Sequence, residues 1–239
     1  MNLSSKQGFF PGFSLFTGMV GFALRCWLFS AEDDRGLLPE PHIASILCFI
    51  LLALTLTVCF IAVHKGAPAS AYRKLFPPSE LAAVGTVVGA IGMGYTAFSV
   101  NGSGPLRLIV PILGICGAVA LILAGYSRMN GLRPNCLLHG LLTLYLIFRT
   151  LVYCQIWGAE PQLQLYFYQL LASLFLLLTC YYRAELDAHA GDCRRYIFFG
   201  QAALFCCCLC LPGDDWLFYL SAGIWLATDF CVLPDAKKS

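Results

Sequence analysis

The chain has 239 residues, of which 59% are hydrophobic and 12% are charged, and its formal net charge is +2. Soluble domains carry about 25% charged residues, so the composition excludes an ordinary soluble fold. The small net charge provides no basic surface for nucleic acid, and the glycines form neither of the common phosphate-binding motifs, G-x-x-x-x-G-K-[ST] and G-x-G-x-x-G. The composition indicates an integral membrane protein.

Long apolar runs follow one another along the chain, and each has about the length of a transmembrane helix. The connections between them hold most of the prolines and many of the glycines. The predicted spans are 12–30, 42–64, 80–100, 105–126, 135–157, 162–182, 196–211 and 216–233. The predicted fold class is therefore all-α: a polytopic transmembrane helix bundle of about eight spans, in a single transmembrane domain over residues 1–239.

Two local features refine these spans. The first run contains Arg25 and lacks a typical cleavage site, so we expect a retained helix rather than a signal peptide. Ser79 and Glu80 follow two prolines, which is typical of a helix start, because the hydroxyl can cap the first turn and the acid favours the helix N-terminus.

Basic residues predict the orientation, because short cytoplasmic loops are enriched in lysine and arginine. With the N-terminus inside, eleven basic residues, Arg128 and Arg183 among them, lie on the inner side, and two, Arg35 and Arg107, lie outside. We therefore expect both termini to be cytoplasmic. Short loops and many cysteines favour a multi-pass protein of a cell membrane, specifically a bacterial inner membrane.

The two parts of the chain, 1–130 and 131–239, would both begin on the inner side, as in transporters with parallel repeats. Arg25 before Glu32 in the first part is echoed by Arg149 before Glu160 in the second. This pattern suggests a weak repeat. The alternative is that the bias of basic residues toward the cytoplasm produces part of the similarity by itself.

Buried charge in a membrane is costly, so ionisable residues inside the spans are candidates for function. Arg149 shares a helix face with Tyr153, and polar residues also begin the next span. We predict an outward-facing anion pocket with Arg149, Arg25, Tyr153, Gln162 and Tyr166 as substrate contacts. The alternative is that the aromatic residues form an interfacial belt, the glutamines bond between helices, and the arginines reach headgroups or outer acids.

His139 and Asp229 lie at similar depths near the inner side, in the fifth and eighth spans. A histidine beside a buried carboxylate would suit proton coupling, and we name both as proton-coupling candidates. The alternative is a histidine that reaches the interface and an aspartate in contact with water.

None of the thirteen cysteines falls in a predicted outer loop. Disulfides form in oxidising compartments, so we expect free thiols that act as small hydrophobic side chains. The cysteine-rich stretch 206–210 lacks the further ligands that a metal would need, and we expect no metal and no cofactor.

Gly85 and Gly89 are four residues apart on the third span, a spacing that allows close helix packing within the chain or with a membrane partner. The first functional hypothesis is a small permease for an anionic or zwitterionic solute in the lipid bilayer. One alternative is a non-transporting membrane subunit or sensor that acts through helix packing. An intramembrane enzyme on a lipid-linked substrate is less favoured, because no catalytic motif is found.

Overall fold

The computed structural model describes residues 9–31, 42–66, 76–100, 106–157 and 163–232. Within these ranges the chain forms eight α-helices and no strand, which confirms the predicted fold class. The helices are α1 Phe9–Ser30, α2 Ile43–Gly66, α3 Glu80–Thr96, α4 Leu106–Met129, α5 Cys136–Trp157, α6 Leu163–Asp187, α7 Cys193–Cys210 and α8 Trp216–Cys231. Each predicted span overlaps one helix.

Five of these helices, α1, α2, α4, α5 and α7, are long and apolar enough to span a membrane. The apolar α3 has 17 residues and α8 has 16, so both are slightly shorter. The start of α3 confirms the predicted cap: Ser79 precedes the helix, and its hydroxyl oxygen accepts a hydrogen bond from the backbone N–H of Ala82 at 3.3 Å.

Six helices form a closed ring. In chain order α3 packs on α4, α4 on α5, α5 on α6, α6 on α7 and α7 on α8, and α8 closes the ring by packing extensively on α3. Side chains from all six helices therefore meet inside the ring. We call the end of the bundle that is predicted to be cytoplasmic the inner end, and the opposite one the outer end.

The other two helices lie outside this ring. α1 and α2 pack on each other and on α7, which is consequently buried along almost its whole length. The parts 1–130 and 131–239 thus pack into each other, and the repeat stays a prediction.

The glycines of α3 bring helices close together within the chain. A Cβ atom added to Gly89 would lie 2.7 Å from Cβ of Trp225 in α8, and one added to Gly94 would lie 3.0 Å from Cβ of Ala118 in α4. Gly85 faces Thr228 of α8. α3 and α4 pack antiparallel, while Gly85 and Gly89 serve the packing of α3 on α8.

Large apolar side chains cover the outer surface of the bundle. Exposed examples are Phe16, Ile50, Leu54, Ile91, Leu108, Ile112 and Leu123. Lipid chains would cover such a surface in a membrane, and the helices satisfy their own backbone hydrogen bonds, as that environment requires. The architecture fits an integral, multi-pass membrane protein.

Candidate functional site

Charged side chains collect at both ends of the ring interior. The buried face of α5 joins the two groups, because His139 lies near its inner end and Arg149 lies ten residues further on, about 15 Å along the helix axis. Between them, buried apolar side chains such as Leu142, Leu146 and Leu176 belong to the packed core. The ring therefore encloses two charged layers that are separated by an apolar one.

Arg149 is the centre of the outer layer, and its side chain is 1% exposed. Its Nη2 lies 3.3 Å from Oδ2 of Asp215, the residue just before α8. Nη1 donates to the hydroxyl oxygen of Tyr145 at 3.3 Å, and Nη2 also donates to that of Tyr153 at 3.4 Å. Cζ lies 3.8 Å from the centre of the Phe218 ring. The guanidinium is thus held inside the protein, and an acid at the outer end balances its charge.

The hydrogen bonds around Arg149 are long, because N–H donors usually lie 2.7–3.2 Å from oxygen acceptors. Arginine binds carboxylates most strongly through two parallel hydrogen bonds, and the single contact at 3.3 Å to Asp215 is not of that kind. Asp215 also retains 15% exposure of its side chain. The ion pair of Arg149 and Asp215 should therefore separate more easily than a fully buried, bidentate ion pair.

Arg25 lies in different surroundings. Its side chain is 1% exposed, and Cζ lies 4.9 Å from the ring centre of Phe29 and 5.0 Å from that of Tyr168 in α6. α1 is outside the six-helix ring, so Arg25 and Arg149 lie in separate parts of the bundle. The buried position argues against the alternative in which Arg25 extends to lipid headgroups.

The remaining outer candidates are placed as follows. Tyr153 contacts Arg149 directly, as its spacing on α5 predicted. Tyr166 is half-buried near the start of α6, and Gln162 lies outside the described residues. Further along α6, the backbone carbonyl of Gln169 accepts a hydrogen bond from the hydroxyl of Tyr219 in α8 at 3.2 Å, which ties the two helices together.

Asp229 is the centre of the inner layer. Its Oδ1 lies 2.7 Å from Nη1 of Arg128 in α4. Its Oδ2 accepts hydrogen bonds from Nη1 of Arg183 in α6 at 3.3 Å and from the hydroxyl of Tyr196 in α7 at 2.5 Å. Three helices thus converge on one carboxylate of α8, and all four side chains are buried.

His139 and Asp187 extend this layer. Nδ1 of His139 lies 2.7 Å from Oδ2 of Asp187, which is fully buried. Oδ1 of the same aspartate lies 3.7 Å from Nε of Arg183, one helical turn earlier on α6. The predicted neighbours His139 and Asp229 are therefore parts of one cluster, but the hydrogen-bond partner of His139 is Asp187.

A small cavity opens among these side chains. Its lining includes Thr86, Arg128, His139, Arg183, Trp225 and Asp229. It is about the size of one water molecule. His139 and Asp229 both line this space.

Arg128 and Arg183 lie at the inner end of the ring, the end at which the sequence places them, but inside the bundle. Both side chains are buried, at 6% and 4% exposure, because each turns toward Asp229 inside the ring. Their position near helix ends indicated only the side of the membrane, so they were not predicted as site residues, and neither were Asp187 and Tyr196. The spacing of four between Arg183 and Asp187 was the available signal, since it puts both on one helix face.

The cysteines are unpaired thiols, as expected. Those at positions 206, 207, 208 and 210 are buried in α7. In the part of the chain that the structure describes, no group of three or more histidine, cysteine or acidic side chains is arranged to hold a metal ion.

Comparisons of the chain with protein-family models, with curated proteins and with solved structures find no match. The fold and the two charged layers are therefore the features that bear on function.

Proposed function

We propose that this protein is a small permease that moves a small anionic or zwitterionic solute through the six-helix ring. The observation that carries the proposal is the pair of charged layers at opposite ends of the ring interior. One is Arg149 with Asp215, and the other is Asp229 with Arg128 and Arg183.

Packing alone gives no reason for these charges. Removing two ions from water costs several kcal/mol per ion, and well-packed apolar residues are often at least as stabilising as a buried ion pair. In membranes, buried ionisable residues mark pathways for substrates and protons. Two such layers along one axis, each containing an arginine paired to an acid, suit the two ends of a solute pathway.

Each layer has a chemical role in this proposal. At the outer end a carboxylate or phosphate group of the solute would replace Asp215 on Arg149 and gain the bidentate geometry that Asp215 lacks. Tyr153 would contribute a hydroxyl, and Tyr166 and Gln162 are further candidate contacts near the start of α6. Arg25 is kept as a candidate for a second contact surface between α1 and α6.

At the inner end, His139 and Asp229 are the candidate proton carriers. Both line the same cavity. Both also lie among charged side chains, so one added proton would change the net charge of the cluster. The apolar layer between the two ends would keep the pathway closed until helices of the ring move.

The alternative of a non-transporting subunit relied on Gly85 and Gly89 as a partner surface. Both glycines face α8 of the same chain, so a partner would need a different part of the surface. The two charged layers also have no role in that alternative.

A binding screen on the purified protein in detergent tests the outer site. The probes are pyruvate, inorganic phosphate and glycine, each at equal ionic strength, and the readout is the thermal unfolding temperature. We expect at least one probe to stabilise the wild-type protein, because a ligand that binds only the folded state raises its stability. Arg149→Gln should abolish that shift.

Arg107→Gln is the matched control, since Arg107 is an exposed basic residue at the same outer end. It should leave the shift unchanged. An equal response in the Arg149 and Arg107 variants would rule out Arg149 as the anion contact, and no response to any probe would count against the permease itself.

A further inference from the structure

We propose that the inner layer is a second oxyanion site, in which a carboxylate or phosphate monoanion takes the place of the Asp229 side chain between Arg128 and Arg183 when Asp229 accepts a proton. This inference rests on the proposed function and deepens it. It adds the charge of the ligand and a stoichiometry of one proton per anion.

The surroundings of Asp229 resemble those of a bound ligand. Guanidinium groups from α4 and α6 approach its two oxygens, at 2.7 Å for Arg128 and 3.3 Å for Arg183, and the hydroxyl of Tyr196 donates from α7. The paired N–H donors of arginine and the hydroxyl of tyrosine are donors that proteins use to hold carboxylates and phosphates. Asp229 therefore fills a site whose donors would suit an external oxyanion equally well.

Arg128 has more donors than Asp229 uses. Its Nη1 forms an ion pair with Asp229 at 2.7 Å, and none of its three buried nitrogens, Nε, Nη1 and Nη2, makes an aligned hydrogen bond to an acceptor among the described residues. Buried donors normally find a partner, and this side chain lines the inner cavity. An oxyanion seated there could accept hydrogen bonds from these nitrogens.

The size of the cavity determines how an anion could enter. The space holds about one water molecule, which is too little for a carboxylate beside the one already present. An incoming oxyanion must therefore replace the Asp229 carboxylate, and the two compete for the same donors.

The charges around Asp229 set the stoichiometry. Arg128 on α4 and Arg183 on α6 carry two positive charges, and Asp187 and Asp229 carry two negative ones, so the cluster is balanced when His139 is neutral. α7 contributes the hydroxyl of Tyr196, and α3 contributes the uncharged Thr86. A proton on Asp229 leaves one surplus positive charge, which one monoanion restores.

The test measures anion binding and proton uptake together, on the full chain purified in detergent. The probe is potassium formate, with uncharged formamide as the control, and a pH indicator reports protons in a weakly buffered solution. We expect about one proton to be taken up per formate bound at the inner layer, counted as the binding that Arg128→Gln removes. The affinity of that site should fall about tenfold for each pH unit above neutrality, because its binding is linked to one proton. Formate binding that depends on Arg128 but takes up no proton would overturn the proposal.

Variants assign the proton and the anion to residues. Asp229→Asn should bind formate without proton uptake and without pH dependence, and Arg128→Gln should weaken binding at least tenfold. His139→Gln should retain proton uptake. If His139→Gln abolishes proton uptake while Asp229→Asn retains it, Asp229 is not the carrier and the proposal fails.

Two further variants keep the test decisive. If Asp229→Asn does not fold, the double variant Arg128→Gln with Asp229→Asn keeps the charges balanced and should show neither formate binding nor proton uptake. Arg149→Gln should leave this inner binding unchanged. Inner binding without transport would contradict the permease and leave the oxyanion site standing, whereas transport without Asp229-dependent proton uptake would overturn the site alone.

Discussion

Oδ2 of Asp215 lies 3.3 Å from Nη2 of Arg149 across the interior of the ring, so the residue just before α8 balances the arginine that lies deep in α5. The pair links two helices that do not follow each other around the ring. It places a charge-dependent contact at the outer end of the ring, where the proposed solute would arrive first.

Asp215→Asn should destabilise the protein by about 2–3 kcal/mol, because it leaves the buried guanidinium of Arg149 without its counter-charge. The neighbouring Asp214 is exposed, and Asp214→Asn should change the free energy of unfolding by less than about 0.5 kcal/mol. Equilibrium unfolding in mixed micelles would measure both. Equal stabilities of the two variants would show that the Arg149 pair contributes little.

Asp229→Asn should be the more damaging change at the inner end, with a loss of about 3–5 kcal/mol, because two buried guanidinium groups lose their shared carboxylate. Adding Arg128→Gln should recover part of that loss, since it removes one of the uncompensated charges. A double-mutant cycle on the free energy of unfolding gives the coupling between the two residues. Strictly additive losses would contradict the direct ion pair.

Gly89→Ala should destabilise the protein by about 1–3 kcal/mol, because the new methyl group would lie 2.7 Å from Cβ of Trp225 and 3.1 Å from the carbonyl oxygen of Ser221. Gly140→Ala is the matched control: a Cβ atom there meets nothing within 4 Å. That variant should be neutral or gain up to about 1 kcal/mol from the greater helix propensity of alanine. A neutral Gly89→Ala would contradict the close packing of α3 on α8.

Reporter fusions test the predicted orientation. Green fluorescent protein at the C-terminus should fluoresce in a bacterial host, because it folds in the cytoplasm, and alkaline phosphatase inserted between α7 and α8 should be active outside. The opposite pattern of signals would show that the orientation is reversed, so that the layer called inner here faces the outside. The positions of the side chains within the ring would be unaffected.

Much of the fold could be predicted from the sequence because the signals are local. Apolar runs bounded by proline and glycine define the helices, and Ser79 marks the start of α3 through a contact with its own first turn. Tyr153 was placed beside Arg149 because four residues separate them on one helix. These features depend on neighbours along the chain and on no long-range contact.

The inner layer could not be predicted in the same way. Arg128 and Arg183 lie near helix ends, where basic residues usually face the cytoplasm, and their burial depends on Asp229 in a helix far along the chain. Similar depth suggested His139 and Asp229 as neighbours, yet α5 packs on α6, and His139 binds Asp187 there. The depth of a residue in the membrane follows from its position within its own helix, but the order of the helices around the ring depends on contacts between distant parts of the chain.

Uptake into proteoliposomes would show whether the protein is a permease that depends on Arg149. Labelled pyruvate, inorganic phosphate and glycine would be offered from the outer side with an inward proton gradient, and a trapped pH indicator would follow protons. If the protein is such a permease, the wild-type protein and Asp214→Asn should take up at least one probe together with protons, and Arg149→Gln should lose this uptake. Equal uptake by Arg149→Gln and the wild-type protein would contradict the proposed function. Uptake no greater than that of empty vesicles for every probe would also contradict it.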